Sequence, residues 1–262
     1  MKVADAVRRA RPALGTLVEL GARIPGDRRL AAESAIDEGW RALADAERAL
    51  SAFDPGSDVA RFNAAPAGAA FALSPDAARV LLASARLFRE SGGLFDATLG
   101  TGPGDWSLAG EGGATSIRKR SASVRLDLGG IGKGYAVDRA FEALSASLAG
   151  ADCGGACWVN AGGDLRAGAV DLPVYLRDER GGGAWPWLVL RDGALATSFY
   201  GPGARDRLSG ARSDEDRHVS VAAPCCMWSD ALTKVVALTG QADHPLLARH
   251  GAVAWLHPGS VP

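Results

Sequence analysis

The sequence predicts an α+β domain, and three observations carry that prediction. Helix-period apolar stripes fill the first half of the chain, strand-like runs fill the second, and a glycine cluster joins a strand to a helix near the middle. An apolar content of 47% over 262 residues supplies a substantial core, which fits one domain spanning 1–262. Mixed or antiparallel sheets flanked by helices are expected, because strands and helices do not alternate regularly.

Taken in order, "ALGTLVELGARI" at 13–24 reads as a strand closed by the turn "PGDRR". From 29 to 51, Ile36, Trp40, Leu43, Ala46 and Leu50 recur at helical spacing, and "FDPGSD" ends that helix. A helix over 74–93 has Ser74 as N-cap, Pro75 at its first position and Gly92 and Gly93 at its close. "SVRLDL" at 123–128 reads as a strand, and 131–149 as a helix that stops at Gly150. Strands are expected at 156–168, 173–178, 186–200 and 218–224, then a helix at 229–239 and a strand at 252–257.

Charge excludes some functions. The 29 basic and 30 acidic residues nearly cancel, so no basic field argues for nucleic acid. No stretch reaches the roughly 18 apolar residues of a membrane span. "MKVADAVRRARPALGTLVEL" lacks the apolar run of a signal peptide, so a cytoplasmic protein is expected. Cys153, Cys157, Cys225 and Cys226 lack paired zinc-knuckle spacing and read as buried, reduced thiols.

"RLDLGGIGKGYAVDRA" at 125–140 carries the clearest chemistry. A helix amino terminus offers N–H groups and partial positive charge to an anion. Gly129, Gly130, Gly132 and Gly134 permit close approach, and Lys133 adds a full charge. Gly134 stands where a P-loop needs Ser or Thr, and the glycine spacing does not match G-x-G-x-x-G. A strand–helix corner that needs glycine only for packing explains the stretch equally well.

Other segments join this one in a fixed order: "ALGTLVEL", "LSAFDPGSDVARFN", "SGGLFDATLG", "WVNAGGDLRAG", "ALATS" and "SVAAPCCMWSDALTKVVAL". Together they resemble the FAD:protein FMN transferase (ApbE) family, from about residue 13 to 257. The resemblance implies a single α+β domain with a dinucleotide cleft. It also implies FAD as substrate, Mg2+ as metal, and transfer of FMN to a Thr or Ser of a target flavoprotein with release of AMP.

It further implies roles for residues. Lys133, with Gly129, Gly130 and Gly134, belongs at the FAD phosphates, and the Gly130 carbonyl at the metal. Asp138 is a helix-surface residue or a ribose contact. Asp96 of "GGLFDATLG" is a polar contact to the flavin, or else the cap of a helix-terminal turn. Gly162, Gly163 and Asp164 lie by the adenosine or pyrophosphate, although Asn160 and Asp164 are equally good turn formers. Thr16 of "GT" follows Leu14, where the family has methionine; Thr197 and Ser198 of "ATS" are hydroxyl contacts, with Phe199 where glycine is usual. Ser57 and Asn63 are either near the cofactor or local cap residues.

Two departures fall on the catalytic side. The family's metal helix reads D-A-L-x-T, and this chain has Asp230, Ala231, Leu232, Thr233 and Lys234. Asp230 and Thr233 are the expected catalytic ligands beside Gly130. Lys234 cannot ligate a metal while protonated. Either Thr233, one position earlier on nearly the same face, takes the ligand role, or the ammonium itself offsets phosphate charge, or Lys234 only pairs with Asp230. The second departure is the absence of H-x-x-D-P-x-T-G from "GARDRLSGARSDEDRH" at 203–218. Arg205, Arg207 and Arg212 make that segment basic but are poor proton acceptors, and His218 is its imidazole. Three functions therefore stand: an FMN transferase, a non-catalytic flavin-binding protein, and an FAD pyrophosphatase giving FMN and AMP.

Overall fold

The computed structural model describes residues 5–25, 27–111, 114–177, 182–200 and 217–257. The chain opens with a hairpin of β1 (Asp5–Ala13) and β2 (Thr16–Ile24), then α1 (Arg29–Leu50), α2 (Asp58–Ala64), β3 (Ala70–Ala72) and α3 (Pro75–Glu90). The middle holds β4 (Trp106–Glu111), β5 (Ala114–Lys119) and α4 (Gly132–Gly150). Next come β6 (Cys157–Ala161), β7 (Asp164–Gly168), β8 (Leu172–Arg177), β9 (Ala184–Leu190) and β10 (Gly193–Tyr200). β11 (Arg217–Ala223), α5 (Cys226–Thr239), α6 (Pro245–Arg249) and β12 (Val253–His257) complete it.

A seven-stranded antiparallel sheet, ordered β1-β2-β6-β7-β10-β11-β12, is the centre of this α+β fold. Helices α4 and α5 pack against its middle strands, and α1 lies along α4. The apolar stripe of α1 fills the core between them, with Ile36, Trp40 and Leu43 buried. The opposite face carries a smaller core of Trp158, Leu165, Leu195, Val174 and Leu190, under the hairpin of β8 and β9. A separate three-stranded sheet, β3-β5-β4, stands beside α2 and α3. Its Lys119 is fully buried and donates to the Phe62 and Asn63 carbonyls at 3.0 and 3.1 Å, which closes the end of α2.

The expected elements differ from the observed ones at identifiable places. Strand β1 was not anticipated, because Arg8, Arg9 and Arg11 make it read as a charged tail; it is an edge strand, where such charge is common. Leu14 and Gly15, both at positive φ (53° and 72°), turn it tightly into β2. Residues 123–128 form no strand: 123 lies in a turn, and 124–128 join no sheet. The Asn63 amide does a neighbouring strand's work there, donating to Leu126 O at 2.9 Å and accepting from Leu126 N–H at 2.7 Å. The expected strands 156–168 and 186–200 each break into two, at Gly162–Gly163 and at Asp192, all three at positive φ. Cys153, Cys157 and Cys226 are buried and Cys225 is half-buried, all four as free thiols.

Candidate functional site

The amino ends of α4 and α5 press together. A Cβ on Gly134 would lie 2.3 Å from the Cys226 carbonyl oxygen and 2.8 Å from Asp230 Cβ, so only glycine fits there. That approach lets Asp230 Oδ2 accept from the Gly134 N–H at 3.0 Å. The reverse contact also forms. Asp138 of α4 accepts from the Cys226 and Met227 N–H groups, both at 2.8 Å, and Arg166 Nη1 stands 2.8 Å from its Oδ1. Burial raises the Asp138 pKa, against the pull of those amides and of Arg166. Asp138 is thus an internal cap, buried away from the helix surface on which a ribose contact would lie.

The glycine corner is partly satisfied from within. The Gly132 N–H donates to Leu128 O at 2.7 Å, the Gly134 N–H to Asp230, and the Gly129 N–H to Asp127 Oδ1 at 2.7 Å. The full charge at the corner is Lys133, whose ammonium is 3.2 Å from Asp164 Oδ2. The two form an ion pair, and neither Asp164 oxygen has a further partner among the described residues. Burial, then repulsion from Asp230, pushes the Asp164 carboxyl up to about 7 against the pull of Lys133 and Lys234.

Lys234 closes the arrangement. Its ammonium contacts Asp230 Oδ1 and donates to the Asp230 carbonyl and to Thr233 Oγ1, both at 3.1 Å. Thr233 Oγ1 also donates to Asp230 O at 2.7 Å and meets Ser198 Oγ at 3.0 Å. Nearby carboxylates, Asp230 foremost, hold Lys234 protonated despite its burial. Gly130 lies along the lysine stem, its missing Cβ 3.5 Å from Lys234 Cε. The magnesium that the family resemblance implies does not fit these side chains. Both Asp230 oxygens and Thr233 are engaged, and an ammonium stands among them.

The other face of the sheet holds a cleft of about 890 Å³ between the central strands and β8. Thr16, Gly162, Gly163 and Thr197 line it, with Trp158 and Tyr175 as apolar walls. Gly162 needs its φ of 60° and its lack of a Cβ, which would meet Thr16 Oγ1 at 2.3 Å. Thr197 Oγ1 is 2.8 Å from Ser220 Oγ, and Ser220 Oγ is 2.9 Å from His257 Nε2. The His257 ring sits edge-on to Trp187, with centroids 4.7 Å apart. Burial first, and His218 second, lower the His257 pKa.

Strand alternation therefore sorts the expected residues into two groups. Thr16, Gly162, Gly163 and Thr197 face the cleft; Lys133, Asp164, Ser198, Asp230 and Thr233 gather on the helix side. The tip of the β6–β7 hairpin joins them, since Gly163 lines the cleft and Asp164, the next residue, faces Lys133. Asp96 sits apart, in the turn after α3, accepting from the Thr98 N–H at 2.8 Å and the Gly100 N–H at 2.9 Å. With the Thr98 hydroxyl, which meets both carboxylate oxygens, those bonds cap the turn over 97–100, so both Asp96 oxygens are engaged locally. Ser57 caps α2 through the Ala60 N–H at 2.9 Å, so with Asn63 it serves its own loop. His218 lines the cleft beside Phe199, ring centroids 4.5 Å apart, while Arg205, Arg207 and Arg212 lie outside the described residues. Ser220 and His257 went unnoticed in the sequence. The alternation of "HVSVAAP" puts Ser220 on one face with His218, but only the β10–β11 register sets it opposite Thr197.

This geometry can be compared with known proteins. The model of the ApbE family matches residues 14–116 and 102–201, most of the chain. The chain belongs to the ApbE family. Among solved structures, ApbE from Thermotoga maritima is similar with a TM-score of 0.76 at 20% identity, covering 96% of this chain and 94% of that one. The flavinyl transferase ApbE of Pseudomonas stutzeri gives 0.75 at 20% identity, over 97% and 91%. The flavin transferase ApbE of Vibrio cholerae gives 0.73 at 19% identity, over 97% and 93%. No curated protein matches the chain. The ApbE fold is thus common to all four, and the Lys234 ammonium stands in this chain where an ApbE metal site was expected.

Proposed function

We propose that this ApbE protein is an FAD:protein FMN transferase, which passes FMN from FAD to a Thr or Ser of a target flavoprotein and releases AMP. One observation carries the reading: the cleft and the lysine-bearing end of α4 meet at the Gly162–Gly163 tip. A dinucleotide laid across that tip has its flavin or adenosine on the apolar wall and its pyrophosphate beside Lys133. Two glycines at the tip let phosphate oxygens approach the backbone, and the Lys133 charge compensates them.

In the transfer, the acceptor hydroxyl oxygen attacks the FMN phosphorus. The bond from that phosphorus to the AMP oxygen breaks, and AMP leaves with the electron pair. Developing charge on the leaving phosphate is offset by Lys133. The hydroxyl proton needs an acceptor, and the Thr197–Ser220–His257 chain offers one, with an imidazole at its end to receive a proton relayed through two hydroxyls.

A second reading, a protein that holds FAD without cutting it, is favoured by the engagement of Asp230 and Thr233 with Lys234. Incubation of the full chain with FAD and a flavoprotein acceptor separates the two. Transfer gives AMP and an acceptor heavier by FMN; holding gives intact FAD; hydrolysis gives AMP with free FMN.

A further inference from the structure

Where α4 and α5 cross, an ammonium does what a metal ion usually does. Lys234 lies one helical turn beyond Asp230, so its side chain bends back over that residue. An ammonium has three donors and no acceptor. It finds three oxygens of three kinds: the Asp230 carboxylate, the Asp230 carbonyl and the Thr233 hydroxyl. The side chain of Lys234 is 15% exposed and that of Asp230 1%, so the contact is protected from water.

Local charge is already balanced. Asp230 and Asp164, the latter only partly ionised near neutral pH, face the ammonium groups of Lys133 and Lys234, so no excess negative charge is left for a metal to offset. Adding a dication would leave excess positive charge in a dry pocket, beside a fixed ammonium a few ångströms away. Asp230 cannot turn to a new ligand without releasing the Gly134 N–H. Gly130, the expected carbonyl donor, packs along the lysine stem.

We propose that the Lys234 ammonium is the resident cation of this site, so that flavin-nucleotide pyrophosphate binds here with no divalent metal. This rests on the flavin-nucleotide reading for its ligand, but the cation's identity can be tested without any flavin. Lys234 is a positioning residue: it fixes Asp230 and through it the end of α4, and it adds charge near Lys133.

The test titrates Mn2+ alone into the full-length wild type and into K234T, following the free-ion spectrum by electron paramagnetic resonance. FAD affinity is measured alongside, in EDTA and in excess Mg2+. Wild type is expected to show no stoichiometric Mn2+ site and FAD affinities that agree within about twofold between the two conditions. K234T is expected to gain a saturable Mn2+ site and to lose at least about tenfold in FAD affinity in EDTA, restored by Mg2+. Stoichiometric Mn2+ on wild type overturns the proposal, as does a tenfold loss of wild-type FAD affinity in EDTA. A K234T chain that neither binds Mn2+ nor weakens in EDTA overturns it too, because the ammonium would then be dispensable. If K234T does not fold, K234R keeps the charge and must retain metal-free FAD binding. Should no variant bind FAD while the Mn2+ results come out as expected, the flavin reading fails and the resident cation stands.

Discussion

Asp138 and Asp230 each cap the helix that carries the other: Asp138 on α4 accepts the first amides of α5, and Asp230 on α5 accepts Gly134 N–H of α4. These caps join residues 88 to 96 apart in sequence, and they fix the spacing on which Lys133 and Lys234 depend. Replacing Asp138 by alanine removes a buried charge partner of Arg166 and leaves two buried amides unpaired. The expected cost is about 3 kcal/mol, read from urea unfolding. Asparagine at 138 keeps one acceptor oxygen and costs less.

Gly134 gives the sharper packing test. Alanine within a helix ordinarily stabilises by roughly 1 kcal/mol relative to glycine. Here a Cβ would meet the Cys226 carbonyl oxygen at 2.3 Å, so G134A is expected to destabilise by about 2 kcal/mol or more. Gly150, at the far end of the same helix with open space around it, supplies the control: G150A is expected to be neutral or mildly stabilising.

How far the sequence carried this account depends on distance along the chain. Local patterns gave α1, α3 and α4 nearly to the residue, and Lys234 was visible as a cation inside a ligand motif. The role of Asp138 was invisible, because its partners are the backbone amides of Cys226 and Met227, which no side-chain pattern marks. The Thr197–Ser220–His257 chain was hidden for a related reason. It runs across three neighbouring strands, and the register that aligns them is a tertiary fact. Asp96 shows the converse: a motif residue whose oxygens are consumed by its own turn.

Asp164 sets a pH dependence. A carboxyl whose folded pKa lies above its unfolded one binds its proton more tightly in the folded chain. Its contribution favours folding in acid, below about pH 4, and is lost as the pH climbs to about 7. Thermal unfolding of wild type between pH 4 and 8 is expected to contain this downward component. D164N, which cannot ionise, is expected to flatten it and to be relatively more stable than wild type at pH 8 than at pH 4.

Thr197 tests the proton route separately from binding. T197V keeps the shape of the cleft wall and removes the hydroxyl that meets Ser220. AMP release is expected to slow by about ten- to a hundredfold. FAD affinity is expected to stay within about threefold, a split that a merely structural role would not produce.

Trp158, in the wall of the cleft between the sheet and β8, reports on a flavin dinucleotide bound there. The most direct measurement is a titration of the full chain with FAD, followed by tryptophan fluorescence, with AMP and FMN as competitors. Saturable quenching is expected at one FAD per chain, with each half-molecule competing more weakly than intact FAD. No quenching, together with no FAD retained on equilibrium dialysis, would contradict it.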